Sequence, residues 1–141
     1  MLHLYKIISN ILYRNPPDNT MDEIHVTEYF LSLLGQIKLF HWATMSYGNH
    51  KALDDLHGSM SDLVDKFVEV YLGRFKKQPV KIFGIKMTAT SDTSKLDKFL
   101  EGEREYLRKM HGQLKTSSEL QNIVDEMMAE LDKAVYLCNL K

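Results

Sequence analysis

Two pairs of potential metal ligands follow one another in one stretch of this chain. His50 and Asp54 are four positions apart, and so are Asp65 and Glu69. Side chains at this spacing lie on the same face of a helix, and imidazole and carboxylate groups arranged in this way can bind one metal ion. A further histidine, His41, lies just upstream. The residue types and their spacing therefore indicate metal chemistry.

The face on which these residues lie determines how they can be used. Residues 49–74 are predicted to form one helix. At about 100° per residue, the two ligand pairs centre about 160° from its apolar stripe and are predicted to lie on the rear of the helix. A rear face that mixes apolar residues with acids and histidines indicates an interface. The stripe consists of Leu53, Leu56, Met60, Leu63, Phe67 and Val70, and the rear face also carries His57, Val64, Val68 and Leu72.

The two pairs are too far apart on one helix to share an ion. Asp54 and Asp65 are eleven positions apart, which is roughly 16 Å along the axis. Carboxylate and imidazole ligands lie only about 2 Å from their metal. Two copies of the chain related by a twofold axis would bring the first pair of one copy to the second pair of the other. Such an interface creates two equivalent sites.

Composition predicts a small oligomeric protein of one domain. The chain has 141 residues and a formal net charge of −1, so no strong positive field favours nucleic acid. A single cysteine, Cys138, excludes an internal disulfide framework and suits a reducing compartment, which predicts a cytoplasmic location. The cysteine is predicted to be a small buried hydrophobe of the last helix. No apolar run is long enough to span a membrane, and the first residues make a poor signal peptide.

Helical periodicity organises the rest of the chain. Residues 1–19 are predicted to be an N-terminal arm, and residues 20–141 a bundle of four helices. Capping boxes are predicted at Thr20 with Glu23 and at Ser118 with Gln121, and a long connection over residues 75–93 is predicted to be extended. Two helical hairpins joined by a long crossover make an all-α, ferritin-like four-helix bundle. The other core stripes comprise Val26, Phe30, Leu33, Ile37 and Phe40, then Leu96, Phe99, Leu100, Leu107 and Met110, then Ile123, Met127, Leu131, Ala134 and Cys138.

The pattern of ligands excludes one kind of ferritin-like site and resembles another. Glu-x-x-His motifs, which supply interior di-iron centres, do not occur in the chain. A histidine directly before a tryptophan, then His-x-x-x-Asp, then Asp-x-x-x-Glu on the same helix, resembles the intersubunit site of the Dps family, the miniferritins also called DNA-binding proteins from starved cells. The matching positions are His41 before Trp42, His50 with Asp54, and Asp65 with Glu69.

The resemblance, which extends over nearly the whole chain, implies a ferroxidase. His41, His50 and Asp54 of one subunit, with Asp65 and Glu69 of its twofold mate, would bind at most two ferrous ions per site. Ferrous iron would be oxidised, preferably by peroxide, and ferric iron stored inside a homo-oligomeric shell, which is a dodecamer in the family. Trp42 would quench radical by-products, although from the residues alone it is predicted to be a packing residue.

Several alternatives remain open from the residues alone. The acid pair can be a solvated helix face whose partners are Lys66 and Arg74, His50 can cap its helix, and His41 can be an ordinary hydrogen-bonded histidine. His57 is predicted to make an interface hydrogen bond, while the remaining histidines, His3, His25 and His111, are predicted to lie on the surface without convergent partners. Zinc can substitute for iron at such ligands.

A rival function is a DNA-compacting or structural shell with a degenerate or purely structural metal site. DNA binding is predicted to be weak or absent, because the first nineteen residues offer only Lys6 and Arg14 as cations.

Overall fold

The computed structural model describes residues 21–78 and 84–140 and contains, within them, four α-helices and no strand. The helices are α1 (Glu23–Ala43), α2 (Tyr47–Phe75), α3 (Leu96–Gln113) and α4 (Ser118–Cys138), with one 3-10 turn at Thr93–Lys95 before α3. The all-α prediction is confirmed. The predicted arm of residues 1–19 lies outside the described residues, as do Thr20 and residues 79–83 of the connection.

The first two helices begin at side-chain caps that differ from the predicted ones. The α1 cap is Asp22, whose carboxylate accepts a hydrogen bond from the His25 backbone N–H at 2.7 Å. The cap was predicted at Thr20, which lies outside the described residues. Helix α2 begins at Tyr47, two residues earlier than predicted, because the Ser46 hydroxyl caps it. Short oxygen-bearing side chains satisfy the free N–H groups of a first turn, and Asp and Ser both do this well.

The start of α4 also differs from the prediction. Its cap position is Ser117, and no side chain makes a capping hydrogen bond there. Gln121 does not reach back to the start of its own helix. Its side-chain amide donates instead to the His111 carbonyl near the end of α3, at 3.1 Å. The predicted capping box at Ser118 and Gln121 is therefore wrong, because the amide of Gln121 ties two helices together.

The apolar stripes of the helices meet in one core. All five predicted core residues of α1 are buried. On α2 the core stripe is turned relative to the prediction, because Val64 and Tyr71 are buried while Leu63 and Val70 are only partly buried. The buried residues of α2 are Ala52, Leu53, Leu56, Met60, Val64, Phe67 and Tyr71. The placement of Val64 on the rear face is thus wrong.

Contacts between helices show how the chain runs. Helix α2 packs against α1 and α4, and α3 packs against α4. His25 of α1 meets Tyr106 of α3, whereas Phe40 of α1 meets Phe99, so α1 and α3 are antiparallel. Ion pairs from Lys66 to Glu126 and from Arg74 to Glu119 show that α2 and α4 are antiparallel as well.

The long connection returns along the bundle beside α1. The Gln36 side chain both donates to and accepts from the backbone of Thr90, at 2.8 and 2.9 Å, and Met87 packs so closely on Gly35 that a Cβ there would lie 2.9 Å from it. Residues 84–92 form neither helix nor strand, as expected for an extended crossing. Within the described residues, no helix combines the length and apolarity that a membrane span requires.

Candidate metal site

The turn between α1 and α2 brings His41 and His50 face to face. Their rings stack with centroids 4.0 Å apart. His41 Nδ1 lies 3.0 Å from the carbonyl oxygen of His50, and His50 Nδ1 lies 3.1 Å from the carbonyl oxygen of His41. A carbonyl oxygen can only accept, so both Nδ1 atoms carry the proton and donate. In the neutral rings, both Nε2 atoms therefore keep a free lone pair.

Metal-binding histidines commonly share this arrangement. A metal-binding imidazole almost always donates its second ring N–H to a carbonyl or carboxylate, which fixes the tautomer and the ring orientation. His41 is 7% exposed and is held in the last turn of α1, while His50 is half-buried in the first turn of α2. Because the backbone of the hairpin fixes both rings, their Nε2 atoms are preorganised.

Asp54 lies one helical turn beyond His50, close to the two histidine rings. Its Oδ1 atom is 3.7 Å from His41 Nε2 and 3.3 Å from Lys38 Nζ. The hydrogen bond from Lys38 is the main reason why the pKa of Asp54 lies below its ordinary value. Asp54 is therefore a carboxylate at neutral pH, and one of its oxygens is paired with Lys38.

His57 lies three residues beyond Asp54 and is half-buried. Its pKa is held below the ordinary value, first because burial disfavours the charged ring and second because Lys38 is near. No interface is present in a single chain, so the predicted hydrogen bond of His57 stays a prediction.

Asp65 and Glu69 are exposed and lie far from the histidines. Both project from the second half of α2, which is one continuous helix. The cations that would satisfy them on a solvated face are used elsewhere, because Lys66 pairs with Glu126 at 3.7 Å and Arg74 with Glu119 at 3.5 Å. Within residues 21–78 and 84–140, neither acid takes part in an ion pair.

The two ligand pairs therefore do not meet within one chain. No group of three or more His, Cys, Asp or Glu side chains in the described part of the chain is arranged to hold a metal ion. Relative to the observed core of α2, the pairs centre about 130° away, on the outer flank next to α1. The predicted outward orientation holds for Asp54, Asp65 and Glu69, which are exposed, whereas His50 is half-buried against α1.

An apolar surface surrounds the turn that carries the histidines. Trp42 is 70% exposed, Met45 98% and Tyr47 79%. The prediction that Trp42 is a packing residue is wrong within the single chain, because Trp42 lies about 160° from the core stripe of α1 and cannot reach the core. The same periodicity, applied to α1, would have found this exposure from the sequence.

Sequence reasoning also missed a polar cluster between α1 and α3. His25 is not an isolated surface residue: its Nε2 lies 2.9 Å from the hydroxyl of Tyr106. Tyr29 donates to Glu103 at 2.8 Å, and the two tyrosine rings are 4.2 Å apart. No local pattern marks this cluster, because its members come from helices more than seventy positions apart. His111 is partly buried and its Nε2 lies 3.4 Å from Asp125 Oδ1, so the prediction that it has no partner is also wrong.

Cys138 is partly buried, and burial raises the pKa of its thiol. This agrees with the predicted packing role, because a thiol whose pKa is raised is a poor nucleophile and a poor ligand.

Comparisons with known proteins find one similar phage protein and one matching family, and neither has a described function. A phage T4 protein described as "Uncharacterized 14.6 kDa protein in mobD-ri intergenic region" is 28% identical over 102 residues, covering 72% of this chain and 75% of the phage protein. No solved structure matches the chain significantly. The match to the family described as "Family of unknown function (DUF5856)" covers residues 41–138, which begin at His41 and include every candidate ligand. The chain belongs to this family of unknown function.

Proposed function

We propose that the protein is a Dps-like miniferritin that binds and oxidises ferrous iron at sites shared by two subunits across a twofold axis. The ferric product would be stored inside a homo-oligomeric shell, of which the dodecamer is the form expected from the resemblance. The antiparallel helical hairpins and the long connection beside α1 support a ferritin-like bundle. Iron is the substrate and cargo of this activity.

The observation that carries the proposal is the reciprocal hydrogen bonding of His41 and His50. Two imidazoles whose Nδ1 atoms donate to backbone carbonyls direct their Nε2 atoms away from those bonds, and His41 Nε2 lies 3.7 Å from the Asp54 carboxylate. Neutral nitrogen suits ferrous iron, and carboxylate oxygen suits the ferric product. Lys38 would have to leave Asp54 when iron binds, so the iron ion would replace the Lys38 ammonium group at this carboxylate.

The second half of the site would come from a partner subunit. Asp65 and Glu69 are exposed and carry no ion pair within the described residues, so a twofold mate can receive them without breaking an interaction. The exposed Trp42, Met45 and Tyr47 around the histidines supply apolar surface that association would bury. Five ligands for at most two ions leave open positions where peroxide can reach the metal.

The oxidation balances with peroxide as the acceptor. Two ferrous ions lose one electron each, the O–O bond of hydrogen peroxide breaks, and two hydroxide ions form. The protein's part is to hold the ions close together and to stabilise the higher charge of the product with the carboxylates of Asp54, Asp65 and Glu69. This reaction would remove ferrous iron and peroxide together.

A structural zinc site is the second candidate, and one observation favours it. His41, His50 and Asp54 all belong to one hairpin, and zinc takes three such ligands and a fourth group in a tetrahedral arrangement. Zinc would then assemble the dimer without redox chemistry. Tight zinc binding without any peroxide-dependent oxidation of iron would favour this candidate.

The test is the effect of Glu69→Gln on iron oxidation. This change keeps the size of the side chain and its compatibility with the helix but removes an anionic ligand. We expect peroxide-dependent oxidation of ferrous iron to slow at least tenfold, as losses of metal-site groups often do, while the thermal melting curve of the iron-free protein stays nearly unchanged.

The matched control is Glu101→Gln, which removes one exposed acid from α3. This variant is expected to oxidise iron at the rate of the unmodified protein, because Glu101 is not a proposed ligand. Both variants change the net charge equally, so a difference between them cannot come from total charge. An unchanged rate in Glu69→Gln would show that Glu69 is a surface acid and would contradict the proposed site.

A further inference from the structure

Helices α1 and α3 hold two hydrogen-bonded tyrosines side by side, in a cluster that the proposed iron site does not use. Tyr29 Oη donates to Glu103 Oε2 at 2.8 Å, and Tyr106 Oη lies 2.9 Å from His25 Nε2. The two phenol rings are 4.2 Å apart at 38° to each other. All four side chains are partly buried. Each phenol therefore has its own potential proton acceptor, and the two rings are in contact.

A phenol loses an electron readily only when its proton leaves as well, because the oxidised phenol is a strong acid. A base must therefore lie within hydrogen-bond distance of the hydroxyl, about 2.6 to 3.2 Å. The Glu103 carboxylate meets this condition for Tyr29. In the tautomer with the proton on Nδ1, His25 meets it for Tyr106. Burial raises the pKa of Glu103 to about 7, and a higher pKa makes its carboxylate a stronger base.

We propose that Tyr29 and Tyr106 form a redox-active pair that gives up one electron to a radical oxidant and holds the resulting radical inside the subunit. In the step at Tyr29, the O–H bond breaks, the proton moves to Glu103, and the electron reduces the oxidant. The products are a neutral phenoxyl radical, a neutral carboxylic acid and the reduced oxidant. At Tyr106 the proton moves to His25, which becomes an imidazolium.

The other described tyrosines lack this combination of partners. Tyr71 donates to the Met21 carbonyl, which is not a base, and burial raises the pKa of Tyr71 to about 12. Tyr47 and Tyr136 are 79% and 65% exposed. Radicals formed on exposed rings react with other molecules in solution. A radical on the partly buried pair meets fewer such collisions than one on Tyr47 or Tyr136, and the two rings of the pair are in contact.

The natural oxidant of the tyrosine pair would be a one-electron radical oxidant, namely hydroxyl radical. Ferrous iron and peroxide generate hydroxyl radical, which takes one electron and becomes hydroxide. The choice of hydroxyl radical as the natural oxidant rests on the proposed iron chemistry, whereas the redox properties of the tyrosine pair do not. The test therefore uses iron-free protein, so that a failure of the pair and a failure of the iron site give separate results.

The experiment oxidises the full chain with azide radicals generated by pulse radiolysis and follows the protein radical by absorbance and by freeze-quench electron paramagnetic resonance. All variants carry Trp42→Phe, because this exposed indole would otherwise react first. We expect a long-lived tyrosyl radical whose yield falls several-fold in the Tyr29→Phe, Tyr106→Phe double variant. Tyr71→Phe is the buried control and Tyr47→Phe, Tyr136→Phe the exposed one, and both are expected to keep the yield.

Glu103→Gln separates redox chemistry from packing. The amide can still accept a hydrogen bond from Tyr29 but cannot take its proton. With Tyr106→Phe present, the formation of the Tyr29 radical should slow by roughly tenfold or more, since positioned bases contribute at least this much. A purely structural role for Glu103 predicts no change in this rate.

Phenylalanine keeps the ring contact but leaves Glu103 without its donor, so folding is checked by thermal melting. If the double variant does not fold, the single variants carry the test, and each is expected to lower the radical yield. An unchanged yield in the folded double variant or in both single variants, or a yield lost only in the exposed control, would overturn the proposal.

Discussion

At the scale of single residues, the two halves of the candidate iron site are prepared in different ways. His41 and His50 are fixed by each other's backbone, so their orientation is set before any metal arrives. Asp65 and Glu69 are exposed acids without such support. The rigid half lies at the tight turn of a hairpin and the adaptable half lies in mid-helix. Metal sites commonly depend on this kind of support from residues behind the ligands.

Glu103 should make the stability of the protein depend on pH. Burial raises its pKa from an ordinary 4.5 to about 7, so the folded protein favours the protonated acid. The stabilising contribution is complete below pH 4.5 and is lost as the pH rises through about 7. The Tyr29 hydroxyl donates a hydrogen bond to the carboxyl and lowers the pKa, but burial is the larger effect. Between these limits, we expect the free energy of unfolding to fall by roughly 1 to 3 kcal/mol.

Urea unfolding across this pH range measures the effect. Glu103→Gln should flatten the decline, because the amide does not titrate, whereas Glu101→Gln on the exposed side of the same helix should leave it in place. An equally steep decline in Glu103→Gln would show that another group is responsible.

At the scale of elements, one side chain attaches the long connection to the bundle. Gln36 is 7% exposed, and its amide makes both an accepting and a donating hydrogen bond with the backbone of Thr90. This double contact resembles the pairing of two peptide groups in a sheet. Because the connection has no regular structure over residues 84–92, these bonds and the contact of Met87 with Gly35 determine its path.

Gln36→Ala should therefore loosen the connection. Removing the amide leaves the Thr90 N–H and C=O without their partner, and we expect a loss of about 1 to 3 kcal/mol in the free energy of unfolding. Hydrogen exchange of the backbone amides in residues 84–92 should become faster, while exchange in α4 changes little. Gln113→Ala, at an exposed position of α3, is the control and should change neither quantity. Unaltered exchange in Gln36→Ala would show that other contacts hold the connection.

At the scale of the whole molecule, the proposed site requires two subunits. The distance of roughly 16 Å between Asp54 and Asp65 along one helix cannot be closed by side-chain motion. A His50→Ala, Asp54→Ala variant should be inactive, and so should an Asp65→Ala, Glu69→Ala variant. In a mixed dimer, one site would combine the intact pairs of both variants and the other would lack every ligand of α2. About half of the unmodified activity per mixed dimer should therefore return.

The measurement dissociates, mixes and reassembles the two inactive proteins, and native mass spectrometry counts the mixed dimers. The two variants reassembled separately are the controls and should stay inactive. Activity that fails to return when mixed dimers are present would show that the pairs do not cooperate across subunits.

DNA binding by the assembled protein should be weak. Phosphate contacts need clustered cations, and the chain has a formal net charge of −1. Within the described residues, Lys77 already pairs with Glu23 and Lys66 with Glu126. An electrophoretic mobility shift in the nanomolar range at physiological salt would contradict this expectation and would point to a basic surface formed by oligomerisation.

Local periodicity determined much of this protein before any fold was known. The α-helical class, the core stripe of α1 and the proximity of His50 to Asp54 all follow from repeats of three and four residues, because a helix places such positions on one face. The separation of Asp54 from Asp65 follows in the same way. Helix boundaries were predicted less well, since Asp22, Ser46 and Gln121 each had a choice of hydrogen-bond partners.

Only the tertiary structure decided the surroundings of the individual side chains. The stacking of His41 on His50 depends on the angle of the turn between α1 and α2. The contact of Tyr29 with Glu103 joins positions 74 residues apart, which no local repeat encodes. Hydrogen bonds and stacking act over a few ångströms in space. A sequence pattern shows only which residues are neighbours on the same helix, so contacts between residues of different helices are decided when the helices pack.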